Sequence, residues 1–290
     1  MSNNTCRWSI LWLAILSAGV QMDGQIKAQD LLFSEADAYE RFMGRWSRSL
    51  APLLVRFADV RGAHAVLDVG SGTGALAAAV AAAAPSATVV GIDPAAAYVA
   101  FAQSKRPSDR LTFEVGDARK MRFEAGAFDR TLSLLVINFI PDPEKALLEM
   151  KRVTRHGGIV AAAVWDYGDG MEMLRTFWDA AIALRPGDGA KDERHMPLCG
   201  RGDLAALWRR GGLERVAEEG LTIETRFSSF DDYWIPFTLK QGPAGAYAAG
   251  LAPADREALR LRLRRRFVGD GPDHSFVLNA RAWVVRGIVP

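Results

Sequence analysis

From Ala65 to Trp165 the chain alternates short apolar runs with longer stretches of helical character. The runs at 65–69, 88–92, 111–115, 129–136 and 158–165 are largely continuous, as expected of strands buried on both faces. The stretches 75–84, 95–104 and 143–154 predict helices between them. Such alternation folds into a parallel sheet with right-handed crossovers and helices on both faces. Further on, 202–211 predicts a helix, while 213–216 and the alternating 221–225 predict strand. The segment 277–286 predicts a last strand lying antiparallel beside them. The expected fold class is therefore α/β, with seven strands in a mostly parallel sheet. Upstream, 34–60 reads as a helix, with Ser34 and Asp37 spaced as a cap.

The first predicted strand runs into Gly70-Ser71-Gly72-Thr73-Gly74, a turn with no bulky side chain, and then into an alanine-rich helix. Strand, glycine turn and helix together bring a ligand against bare backbone and unpaired N–H groups. Gly70-x-Gly72-x-x-Ala75 formally satisfies a dinucleotide fingerprint. Three acids argue for a different ligand. Asp68, inside the strand, would repel a pyrophosphate and suits a cationic amino group. Asp93, followed by Pro94, ends the second run and suits ribose hydroxyls in either case. Asp117, with Ala118, ends the third run, where an acid beside a small residue can meet an adenine edge. In an open sheet all three fall at the carboxyl ends of strands, where ligands bind.

At these residues the chain resembles the class I S-adenosylmethionine-dependent methyltransferases, those with a type 11-like methyltransferase domain. Val66–Gly74 looks like their first motif, Gly91–Asp93 their ribose-binding acid and Gly116–Ala118 their adenine turn. Residues 128–133 resemble their fourth strand, and 141–158 the helix and turn into the fifth. The resemblance implies a Rossmann-like fold and S-adenosyl-L-methionine as cofactor. It implies that the turn of Gly70, Ser71, Gly72 and Gly74 supports the methionine part, with Asp68 nearby. Asp93 and Pro94 would hold the ribose, Asp117 and Ala118 would meet the adenine, and Leu134 would lie next to the sulfonium. Tyr39 and Arg45, on the first helix, would approach the methionine moiety. Asp93 is expected to face the cleft, so that its replacement leaves the empty protein's stability nearly unchanged.

Two segments leave the sheet pattern, at about 168–200 and 228–270. Broken by glycines and rich in aromatics, they are expected to form a helical cap inserted after the fifth strand. Trp165, Tyr167, Trp178, Tyr233 and Trp234 are the candidates to line an acceptor pocket; the alternative is that most of these rings form the cap's own core. For a catalytic base the chain offers only His195, Asn138 and Asp166. Asn138 can orient a substrate but is a poor base, and Asp166 can equally hold the loop beyond it. No spacing of cysteines or histidines suggests a metal.

Charge and composition narrow the partners. With a net charge of +2 over 290 residues, no strong field nominates nucleic acid. Arg260, Arg262, Arg264, Arg265 and Arg266 interleave with leucines, which on a helix is a solvated basic face over an apolar stripe. A small-molecule acceptor is expected. The alternatives are an RNA or protein acceptor, a non-catalytic binder of the cofactor, and a nicotinamide oxidoreductase. Residues 1–28 form an N-terminal extension preceding a methyltransferase domain at 29–290. Within the extension, Trp8 to Val20 is an apolar run behind Arg7, shorter than the ~20 residues a membrane span needs. We expect Met22 to be the true start and the protein to be cytoplasmic; a signal-like role for 1–28 would make it exported or membrane-associated.

Overall fold

A computed structural model describes residues 36–106 and 108–290. The sheet has seven strands in the order β3-β2-β1-β4-β5-β7-β6. They are β1 (Ala65–Val69), β2 (Thr88–Asp93), β3 (Leu111–Val115), β4 (Phe128–Leu134), β5 (Thr154–Trp165), β6 (Glu214–Phe227) and β7 (Phe276–Ile288). The first five pair in parallel, and β7 runs antiparallel between β5 and β6. Helices α1 (Arg45–Phe57), α2 (Ala75–Ala83), α3 (Ala96–Lys105) and α4 (Pro143–Val153) accompany the parallel part. Helix α6 (Asp203–Arg210) docks through Trp208, which is fully buried and donates its indole N–H to Val160 O on β5 at 2.9 Å.

Strand limits differ from expectation where backbone geometry intervenes. β4 stops at Leu134 because Leu135 turns to a positive φ of 63°. β5 starts at Thr154, directly after α4, and its irregular pairing with β4 absorbs the residues before Ile159. The apolar segments after residue 212 form one strand, β6, whose outer half alternates exposed and buried positions. The Ser34 cap and the extension at 1–28 lie outside the described residues. Among the described residues, no helix is long and apolar enough to cross a membrane.

The remaining helices are α5 (Glu172–Leu184), between β5 and α6, and α7 (Phe230–Trp234), α8 (Gly242–Gly250) and α9 (Pro253–Phe267), between β6 and β7. Aromatic rings join them. Phe177 of α5 stacks on Phe237 at 4.5 Å between centroids, and Trp178 packs on Tyr247 of α8 at 5.1 Å. Phe42, ahead of α1, meets the same Phe237 edge-on at 5.2 Å. The arginines of α9 lie along its solvated side, where Arg260 reaches Glu257 and Asp231 and Arg264 binds the carbonyls of Gly269 and Gly271.

At the amino ends of the strands, Asp129 fastens the sheet. Its carboxylate accepts from the N–H groups of His64 and Ala65 at 2.7 and 2.9 Å and from Arg155 Nε at 2.6 Å. Burial pushes this carboxyl up, but the Arg155 contact and the two N–H donors outweigh it and hold the pKa at about 2. A depressed acid stabilises the fold fully above its ordinary pKa of 3.8, and that contribution is lost as pH falls through about 2. Asp129→Asn should cost about 1–2 kcal/mol at pH 7, allowing for screening of a partly exposed pair. Thermal melts of both proteins should converge as pH falls from 4 towards 2. A constant gap across that range would show that the charge is not what stabilises.

Candidate active site

The glycine turn is built on the end of β2. The N–H groups of Gly70 and Ser71 both donate to Ile92 O, at 2.8 and 2.9 Å. Gly70 takes φ 74°, and a Cβ there would come within 2.5 Å of Val136. Gly72 has φ 50°, and a Cβ there would meet nothing within 4 Å, so the turn presents bare backbone to open space. Asp93 secures it: its two carboxylate oxygens accept from Gly72 N and Ala95 N, each at 2.9 Å. The expectation that Asp93 has little influence on the empty protein's stability is thereby corrected. The side chain is buried and anchors the turn to the start of α3. Burial raises its pKa, against the pull of the two N–H donors. Pro94 beside it is exposed.

The strand order reverses between β1 and β4, and there buried polar atoms find no hydrogen-bond partner among the described residues. They are Asp68 Oδ1, Ser71 Oγ, Ser133 Oγ and both amide atoms of Asn138. Asp68 is opposite Leu132 in the β1–β4 register, Ser133 follows at the end of β4, and Asn138 sits in the short turn Ile137–Phe139 beyond. Asp68 uses only Oδ2, accepting from Ala77 N of α2 at 3.0 Å. An unpaired buried polar group costs about 1–3 kcal/mol. Several gathered at one edge of a sheet mark a place built to be completed by something bound. Leu134 and Leu135, both buried, supply an apolar wall between Ser133 and Asn138.

Asp117 stands exposed after β3 with its carboxylate held by Arg119, through Nε at 3.0 Å and Nη2 at 2.7 Å. That contact keeps its pKa below the ordinary value. Ala118 beside it is half-buried against the core. Tyr39, half-buried, packs on Tyr98 of α3 at 5.6 Å and shares a hydrogen bond with Ser47. Burial raises the pKa of its phenol, with the charge of Asp93 adding to the rise.

Long-range partners correct one expectation, for Arg45, and decide between the readings left open for Asp166, Trp178 and Tyr233. Arg45 does not reach the turn: Nη1 binds Asp232 Oδ1 at 2.8 Å, and the guanidinium lies over the rings of Trp46 and Phe227. Asp166 is no free base, because Arg281 holds Oδ2 through two nitrogens and Asp169 N donates to Oδ1. Trp178 donates to Glu193 Oε2 at 2.7 Å, and Tyr233 donates to Met173 O at 3.0 Å. Both rings are fully buried among other aromatics, as core rather than lining. His195 lies exposed in the turn Glu193–His195. Trp165, Tyr167 and Trp234 are buried at or beyond the ends of β5 and α7. Among the described residues no group of His, Cys, Asp and Glu is arranged to hold a metal ion.

The sequence reading missed Glu40. It opens a π-helical turn, Glu40–Gly44, that leads into α1. Its Oε1 accepts from Thr73 Oγ1 of the glycine turn at 2.5 Å. The nearest signal in the sequence was its place directly after Tyr39, which had been singled out for the same region.

Burial pushes the Asp68 carboxyl up to about 8, with the Ala77 N–H opposing the rise. The folded chain therefore holds a proton that the unfolded chain releases near 3.8. This stability is fully present below that value and is lost as pH rises through about 8. In melts of the empty protein, stability should decline between about pH 4 and 8, and Asp68→Asn should flatten that decline. An equal slope in both proteins would place the ionisation elsewhere.

A methyltransferase domain family matches residues 67–162. The chain is 31% identical over 186 residues to a malonyl-[acyl-carrier protein] O-methyltransferase of Geobacter sulfurreducens, covering 63% of this chain and 67% of that protein. It is 35% identical over 119 residues to the ubiquinone/menaquinone biosynthesis C-methyltransferase UbiE of a Geobacter species, covering 39% of this chain and 49% of that one. It thus spans about two thirds of the first relative and about half of the second. In fold it is similar to Haemonchus contortus phosphoethanolamine N-methyltransferase 2, solved with S-adenosyl-L-methionine, at a TM-score of 0.55 and 20% identity, covering 88% of this chain and 56% of that one. With the glycine turn, the acids at the strand ends and the sheet order already in place, these similarities show that the chain belongs to the class I S-adenosylmethionine-dependent methyltransferases.

Proposed function

We propose that this chain methylates a small-molecule acceptor in the cytoplasm, using S-adenosyl-L-methionine. The observation that carries the proposal is the set of unpaired buried polar atoms facing the reversal point, beside a turn that is open at Gly72. Those residues fit the cofactor. A bound ammonium would draw the Asp68 carboxyl into its charged form, in which Oδ1 accepts from it; the remaining lone pairs of Asp93 suit the ribose hydroxyls, and the turn of Gly70, Ser71, Gly72 and Gly74 supports the methionine segment. Ala118 and Asp117 take the adenine side. When bound, S-adenosylmethionine supplies a methyl carbon already activated on a sulfonium. The chain's task is then alignment and exclusion of water. Leu134 and Leu135 keep the end of β4 dry, and the unpaired Asn138 amide orients the acceptor. With Asp166 held by Arg281 and His195 exposed, the described residues favour an acceptor that is nucleophilic when it arrives.

The acceptor side is formed by Trp165, Tyr167 and Trp234, at the border between the sheet and the inserted helices. We read 29–290 as one methyltransferase domain whose segments at about 168–200 and 228–270 act as a cap selecting the acceptor. The O-methyltransferase and C-methyltransferase relatives are named for different acceptor atoms, so the atom methylated here is decided by the acceptor, not by the shared cofactor side. Mass spectrometry of what co-purifies, followed by labelled methyl transfer to small-molecule extracts, RNA and protein, tests the proposal. Label entering only RNA or protein would overturn the acceptor class.

Asp93→Asn separates the cofactor role from the structural one. An amide offers one accepting oxygen where Gly72 N and Ala95 N each need an acceptor, so the empty variant should lose about 1–3 kcal/mol. Losing roughly one charge-assisted bond to the ribose should also weaken S-adenosylmethionine binding about 10- to 100-fold. Calorimetric titration, run well below the variant's melting temperature, measures the second effect. Unchanged affinity would remove Asp93 from the cofactor site.

A further inference from the structure

Glu40 is held in place from two sides. Thr73 Oγ1 donates to one carboxylate oxygen at 2.5 Å, and the Arg48 guanidinium pairs with the other. The Glu40 side chain is only 18% exposed, while that of Arg48 is 55% exposed, so the acid is fixed and its counter-charge is largely in water. The π-helical turn Glu40–Gly44 sets this geometry by carrying Glu40 off the regular helical path. Gly44 completes it: a Cβ there would collide with the Glu40 carboxylate. On either side, Tyr39 packs on Tyr98 and Phe42 on Phe237, so neighbouring rings clamp the turn.

Electrostatics give this placement a consequence. Glu40 and Asp93 contribute negative charge around the glycine turn, and Arg48 is the cation paired there. The methyl donor carries a sulfonium charge that its product lacks. During transfer the acceptor's lone pair forms the new bond to carbon, and the electrons of the broken carbon–sulfur bond return to sulfur. The sulfonium becomes a neutral thioether, while the ammonium, carboxylate, ribose and adenine stay as they were. A carboxylate fixed one side chain from the turn therefore interacts differently with the two forms.

We infer that Glu40 is a positioning residue that favours the charged methyl donor over the neutral product. The inference rests on the proposed cofactor role of the glycine turn, and goes beyond it in assigning donor–product discrimination to one side chain outside the motifs. Exchange of spent for fresh cofactor would then be driven partly by the charge lost in the reaction.

The test is calorimetric titration of the full chain with three ligands: S-adenosylmethionine, S-adenosylhomocysteine, and sinefungin, whose amine carries positive charge where the sulfonium would be. Glu40→Gln keeps the shape and a partner for Thr73. It should weaken both charged ligands roughly tenfold and leave S-adenosylhomocysteine within about twofold of wild type. Arg48→Gln should change the preference in the opposite direction, because it removes the compensating cation. Equal weakening of all three ligands by Glu40→Gln would reduce Glu40 to a structural prop and overturn the inference. Tighter binding of S-adenosylmethionine by Glu40→Gln would overturn it differently, showing that the carboxylate occupies the seat of the ligand's own. If wild type binds none of the three, the cofactor role of the turn fails with it, a result distinct from loss of the split alone.

Discussion

The site depends on one carboxylate accepting two backbone N–H groups. Asp93 binds Gly72 N and Ala95 N, and so joins the first glycine turn to the loop after the second strand. The neighbouring N–H groups of Gly70 and Ser71 are both taken by Ile92 O. With these donors occupied, the turn is rigid while its outer side at Gly72 stays bare. A turn pinned through its backbone N–H groups, by Ile92 O and the Asp93 carboxylate, needs no side chain of its own at Gly72. The space a side chain would fill is left to the ligand.

The two edges of the sheet are treated differently. At the amino ends, Asp129 is saturated by Arg155 and two N–H groups. At the carboxyl ends, Asp68, Ser71, Ser133 and Asn138 keep buried atoms unpaired. An unpaired buried group is destabilising, and a chain tolerates several only if the rest of the fold offsets them. The long sheet with apolar strands at its centre provides that offset: Val66, Leu67, Leu132, Val160 and Val164 are almost completely buried. Saturated and unsaturated polar groups thus occupy opposite ends of the parallel strands.

The inserted helices are held by their own interactions rather than by the site. Arg175, buried, makes a two-pronged pair with Asp192 and also binds Tyr167 O. Next to it, Glu193 accepts from Trp178, and burial raises its pKa to about 7. A buried ion pair contributes little net stability but is strongly disrupted when one partner is lost, which suits a role in fixing geometry. Arg45 and Asp232 tie α7 to α1, so the helices between β6 and β7 are bound to the helix that follows the π-helical turn of Glu40. Cofactor side and inserted helices therefore share one structural support.

The sequence by itself was enough for the parallel strands, the crossover helices, the glycine turn and the acids at the strand ends. These are local properties: apolar runs of strand length, a turn whose φ values need glycine, and an acid in or just after the end of each run. Partners far apart in the chain were not legible. Arg45 reads as a cofactor residue until Asp232, brought in by α7, takes its guanidinium. Asp166 reads as a base until β7 sets Arg281 against it. Tyr233 and Trp178 read equally as pocket rings or as the cap's own core, and packing decides for core by enclosing them while their polar atoms find Met173 O and Glu193. Glu40 had no signal beyond its place next to Tyr39, since its meaning comes from Thr73, 33 residues away in the chain, and from a π-helical turn that spacing rules do not anticipate. Backbone conformation is decided over a few neighbours, whereas the use of a long polar side chain is decided by whichever partner the tertiary fold delivers to it.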